Sequence, residues 1–235
     1  MRPTLTLFRR EFMAYFTSPV AYILLVGFLF VFGAFFFSPT LKALTDEGPV
    51  GVEWPMQRVF GDPYFWLGFL IIPAALTMRS FAEERGTGTL EMLLTVPLRD
   101  WQVVLAKFAA CLLFYLVLWL PTLACLPVLL DMHGWNAGID RNPVLTTYLG
   151  LALVGAMLLS IGLFISSLVK SQLVAVLLSL VVSLLFVLVT FLLPFTDPTG
   201  TGYKLVNFFA IPQHFNRDFT RGLVDSRNLV LYVSV

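Results

Sequence analysis

Five runs of mostly apolar residues, approximately 20–37, 64–78, 108–130, 148–169 and 173–195, approach or reach the length of about 20 residues that a helix needs to cross a hydrocarbon core. The chain is therefore expected to be all-α: a polytopic bundle forming one transmembrane domain over residues 1–235. Of the residues, 58% are hydrophobic and 12% charged, against about 45–50% and about 25% in soluble domains. The 64–78 run is short and needs its flanks. A sixth run starts at Leu229 and stops at Val235, and its rise of about 10 Å makes it the beginning of a sixth span.

A formal net charge of +1 offers no basic face for nucleic acid. The first run follows Arg9, Arg10 and Glu11 and has no small-residue cleavage pattern after it, so it reads as an uncleaved span. Cys111 and Cys125 fall in one predicted helix, about 21 Å apart, too far for a disulfide. Orientation rests on the first span, because Arg2, Arg9 and Arg10 precede it and only Lys42 follows closely. The N-terminus is therefore expected in the cytoplasm, together with residues 80–97.

Ahead of the first span, residues 3–18 place Leu5, Phe8, Phe12, Tyr15 and Phe16 at helical spacing, with Arg9 and Arg10 turned elsewhere. This predicts an amphipathic helix in the headgroup layer, ended at Ser18-Pro19. Residues 38–62, rich in Pro and Gly, are expected to be loop. Residues 203–227 carry two apolar stripes, Leu205/Phe208/Phe209 and Phe215/Phe219/Leu223, broken at Pro212, and predict two helices resting on or dipping into the outer leaflet. Gly155, Ser160, Gly162, Ser166 and Ser167 give the fourth span a small-residue surface for close packing. No charge sits near the middle of a span, which argues against a proton relay. His133 with Asp131 and Asp140 reads as solvated polarity rather than a metal site. His214, Arg217, Asp218 and Arg221 read as headgroup anchors.

The segment "AEERGTGTLEMLLTVPLRDW", residues 82–101, interrupts this hydrocarbon with charge, glycine and threonine. Ser80 and Glu83 have the spacing of a capping box, Gly86 and Gly88 permit a sharp turn, and Leu90, Leu93 and Leu94 form one face of a helix ended by Pro97. Asp100 is expected to cap the third span. A phosphate loop is excluded, since no Gly-Lys-Ser/Thr follows. The Glu-Glu-x-x-x-Arg pattern of an intramembrane protease fails because Gly88 stands where the arginine should be. A plain solvated linker would not require a leucine face, though that face could rest on lipid or on the bundle.

Residues 83–107, "EERGTGTLEMLLTVPLRDWQVVLAK", closely resemble the coupling region of permease subunits of type-2 ATP-binding-cassette (ABC) exporters. "FRREFMAYFTSPVAYI" and "HFNRDFTRGLVDSRNLVLY" further resemble the gliding-motility-type branch. The resemblance implies a six-span permease in the bacterial cytoplasmic membrane, pairing with a second copy, docked on a cytosolic ABC ATPase and joined by a membrane-anchored auxiliary subunit. By the same resemblance, ATP and magnesium would belong to the ATPase, and this chain would hold no cofactor, metal or catalytic group. Glu83, Glu84, Arg85, Gly88, Thr89, Leu90 and Glu91 would face the ATPase or shape the loop. Phe8, Arg9, Arg10, Phe12 and Phe16 would belong to the elbow helix. Phe65, Phe69, Phe186 and Phe191 are candidates for a substrate path along the second and fifth spans, although packing is the commoner role of such rings. Two other classes stay open from the residues alone: a membrane assembly or signalling protein using the 80–97 loop to hold a cytosolic partner, and an intramembrane enzyme, for which the spans offer no nucleophile–base or metal set.

Overall fold

A computed structural model describes residues 2–37, 53–88, 99–131, 141–195 and 200–234, and every element among these residues is helical. α1 (Arg2–Thr17) and α2 (Pro19–Val31) meet at Ser18, and α2 continues into a π-helical turn, Phe32–Phe37. Next come α3 (Glu53–Phe60), α4 (Pro63–Thr77) and α5 (Ala82–Thr87). The long helices α6 (Asp100–Asp131), α7 (Arg141–Leu168) and α8 (Gln172–Leu192) follow. The short helices α9 (Thr201–Phe209), α10 (Ile211–Arg217) and α11 (Ser226–Ser234) complete the chain.

Among the described residues, four stretches are long and apolar enough to cross a membrane: Tyr64–Thr87, Asp100–Leu123, Asn142–Leu168 and Gln172–Leu192. A fifth exists if α1 and α2, bent by 65°, form one broken span. The expected second span gains its missing length at its end, because α5 continues α4 after a turn at 78–81. The third begins at Asp100 rather than at 108. Asp100 is therefore a first-turn residue and not the cap. Gln102 Oε1 accepts the Arg99 backbone N–H at 3.1 Å, the reach-back half of a capping box.

The bundle closes through small residues. Ala175, Ser179, Ser183 and Val187 recur every four residues and form the buried face of α8, which packs on α4 and α7. The rest of α8, from Leu173 to Leu192, exposes an apolar surface. On α7, Gly155 lies against the Tyr115 ring and Gly162 against Thr77, so a side chain at either glycine would collide with α6 or α4. Tyr115 Oη donates to the Leu151 carbonyl at 2.9 Å, satisfying the phenol inside the core.

Two expectations fail at the end of the bundle opposite α5. Part of the expected loop 38–62 is helical, because Met56, Val59 and Phe60 share a buried face and Pro55 sits in the first turn of α3, where its missing N–H costs nothing. The Phe215/Phe219 stripe does not rest on the surface. Both rings are fully buried, stacked at 5.6 Å, with Phe215 6.1 Å from Phe60 and 5.1 Å from Trp66. Gly150 lets them in: a β-carbon there would lie 2.8 Å from each ring. Thr146 Oγ1 donates to the Phe219 carbonyl at 2.7 Å and closes the joint. Gly222, at φ +84°, then turns the chain, so Leu223 leaves the stripe and is exposed. In the first stripe, Phe208 and Phe209 remain partly exposed, and Phe209 meets Phe186 at 6.4 Å.

Candidate functional site

α5 is six residues long, too short to hold its own shape in water. Its stability comes from three neighbours. The N–H groups of Phe81 and Ala82, orphaned at the start of the helix, donate to Ser166 Oγ of α7 at 3.2 and 3.0 Å. This displaces the expected Ser80–Glu83 capping box, and Glu83 instead accepts from Arg79 Nε at 2.9 Å. Arg79 Nη1 also donates to Ser18 Oγ at 2.7 Å, fastening the turn before α5 to the α1–α2 corner.

The third neighbour is Lys107 of α6, whose side chain is only 1% exposed. Its ammonium has three protons and three acceptors: Glu84 Oε1 at 2.8 Å, the Ser80 carbonyl at 2.9 Å and Glu11 Oε2 at 3.2 Å. The Phe81 ring covers it at 5.2 Å. Arg10 Nη2 lies 2.6 Å from Glu11 Oε1 and 3.8 Å from Glu84 Oε1, so two cations meet two carboxylates. A buried ammonium is tolerated when it is paired and fully hydrogen-bonded. The outcome is a charged knot joining α1, α5 and α6.

α1 reaches this knot along its apolar face. Phe8, Phe12, Tyr15 and Phe16 pack on the core, Tyr15 stacks on Phe114 at 5.0 Å, and Tyr15 Oη donates to the Leu76 carbonyl at 3.0 Å. Leu7 is buried and Leu5 exposed, which rotates the expected stripe by part of a turn. Arg9 and Arg10 are exposed as expected.

Of the coupling residues named from sequence, Glu84 is committed to Lys107 and Glu83 to Arg79, while Arg85 points outward. Gly88, at φ +75°, ends α5 in the left-handed conformation that glycine takes without strain. Thr89, Leu90 and Glu91 lie outside the described residues. The four phenylalanines proposed for a path separate: Phe65 and Phe69 are buried among Trp66, Tyr115 and Trp119 inside the protomer, Phe186 is half-buried and Phe191 exposed. The roles of Lys107 and Ser166 in holding α5 were not evident from local spacing. The signal for Lys107 was its register: Val103, Ala106, Ala110, Cys111 and Phe114 are the buried face of α6, and Lys107 sits in the same stripe.

A family profile described as ABC-2 family transporter protein matches residues 57–214, two thirds of the 235. The chain belongs to the ABC-2 transporter family. It is thus a multi-pass membrane permease of an ATP-binding-cassette transporter, the transport component rather than the catalytic one, and the family implies an ATPase partner. The matched residues take in α5, Lys107 and Ser166, while α1, with Arg10 and Glu11, lies before them. No curated protein and no solved structure matches the permease.

Proposed function

We propose that the permease is the membrane half of an exporter, with its N-terminus in the bacterial cytoplasm, and that α5 and the segment after it receive the movement of a cytosolic ATPase. The charged knot carries this reading. A load applied at α5 reaches α1 and α6 through Lys107, and reaches α7 through Ser166. A second copy of the permease would pack on the broad apolar face of α8, which leaves Phe191 near the substrate path and Phe65 and Phe69 as core. The gliding-motility-type branch, with its membrane-anchored auxiliary subunit, is the reading we favour for the wider assembly. Within the knot, Glu84 acts through Lys107 rather than by touching the ATPase.

The test is purification of the permease with whatever ATPase accompanies it, followed by an ATPase assay. A stoichiometric ATPase, lost when residues 86–94 become a neutral linker, supports the reading. Glu84→Arg should uncouple hydrolysis from transport, and the exchanged pair Glu84→Arg/Lys107→Glu should restore part of the coupling. A preparation with no ATPase in several detergents would sink the proposal and favour a membrane assembly or signalling role.

A further inference from the structure

We infer that the permease holds one aminophospholipid in the groove where α5 overhangs α6 and α7. The groove is open on one side and has a volume of about 750 Å³, and its walls include Val104, Phe108, Leu163 and Phe164, a size within the range of about 300–1,000 Å³ typical of ligand sites. Both wall helices belong to stretches long and apolar enough to cross a membrane, and a groove with these walls suits an acyl chain. Its mouth is different. Arg85 and Asp100 stand there, both exposed, and neither makes an ion pair among the described residues. Trp101 lies beside them in the first turn of α6, where an amphipathic ring marks the headgroup level.

One cation and one anion at the mouth of an apolar slot match a headgroup that carries both charges. The guanidinium takes the phosphate by charge-assisted hydrogen bonds, and the carboxylate takes a primary ammonium. Phosphatidylethanolamine has both groups. Phosphatidylglycerol lacks the amine, and phosphatidylcholine has no N–H to donate. The lipid would sit against α5 without touching Lys107, so the site goes beyond the coupling reading and stands whether or not an ATPase is found.

Trp101 reports on the site directly. The full-length permease is reconstituted in phosphatidylcholine vesicles and titrated with phosphatidylethanolamine, phosphatidylglycerol or phosphatidylcholine bearing brominated chains, and the quenching absent from Trp101→Phe is followed. Brominated phosphatidylethanolamine should quench this component at the lowest mole fraction. Arg85→Gln and Asp100→Asn should each raise that mole fraction, Arg85→Gln by about tenfold, the scale of a hydrogen bond to a charged group. Ser160→Phe, which fills the groove wall, should remove the preference. Because Arg85 and Asp100 are exposed, their replacement leaves the bundle folded. Equal quenching by all three lipids, or a preference for phosphatidylglycerol that Asp100→Asn does not alter, overturns the inference.

Discussion

The two ends of the bundle hold their surface helices by opposite means. Around α5, a buried lysine, two carboxylates and an arginine bind three helices through charge. At the other end, Phe60, Trp66, Phe215 and Phe219 bind α3 and α10 through ring packing into the space left by Gly150. Rings interlocked in a close-packed space tolerate little displacement. A charged knot has discrete partners that can be exchanged one at a time, with Arg10 already near Glu84. That difference suits the proposed roles, an end that receives the movement of an ATPase and an end that does not.

The sharpest way to break the comparison is Lys107→Met. It leaves Glu11 and Glu84 facing Arg10 alone and should cost about 3–5 kcal/mol, the scale of a broken buried ion pair, read as a lower unfolding temperature in detergent. Adding Glu11→Gln and Glu84→Gln should recover most of that loss. If the triple variant is no more stable than Lys107→Met, the knot is ordinary packing. Gly150→Ala should cost about 1–3 kcal/mol by overpacking and should raise hydrogen exchange in α10 while leaving α5 protected. Exchange that rises equally at both ends would erase the distinction between them.

A smaller effect separates the ends by pH. His214 is buried, its Nδ1 lacks a partner among the described residues, and burial holds its proton affinity below the ordinary value. The unfolded chain takes up this proton near pH 6.5, so the unfolded state binds more protons below that pH. Stability should be constant above about 6.5 and fall as pH drops toward the lowered folded value. His214→Gln should flatten that slope in a pH series of thermal melts. The least effect is expected at Arg79–Glu83, a half-exposed i,i+4 pair: Glu83→Gln should change stability by no more than about 0.5 kcal/mol.

The span pattern was legible because hydrocarbon length is a one-dimensional property. The second, third, fourth and fifth expected spans all have counterparts among the membrane-crossing stretches. What stayed hidden was pairing across distance. Ser80 and Glu83 had the spacing of a local cap, yet Ser166, about 85 positions away, takes the helix N-terminus. Phe215 and Phe219 had the spacing of a surface stripe, and nothing local says that Gly150 has left room for them inside the bundle. The knot was half legible: Glu84 and Lys107 both lay in the segment that resembles a coupling region, but Glu11 joins them from the first helix.

The chain order of the knot also sets when it can form. Glu11 and Glu84 leave the ribosome before Lys107, the latter pair separated by 23 positions. Synthesis runs from the N-terminus at about 5–20 residues per second, so both carboxylates have been made before the lysine that they pair with. Phe215 and Phe219 emerge well after Phe60 and Gly150, so the aromatic cap can close only after every residue of the knot has been made.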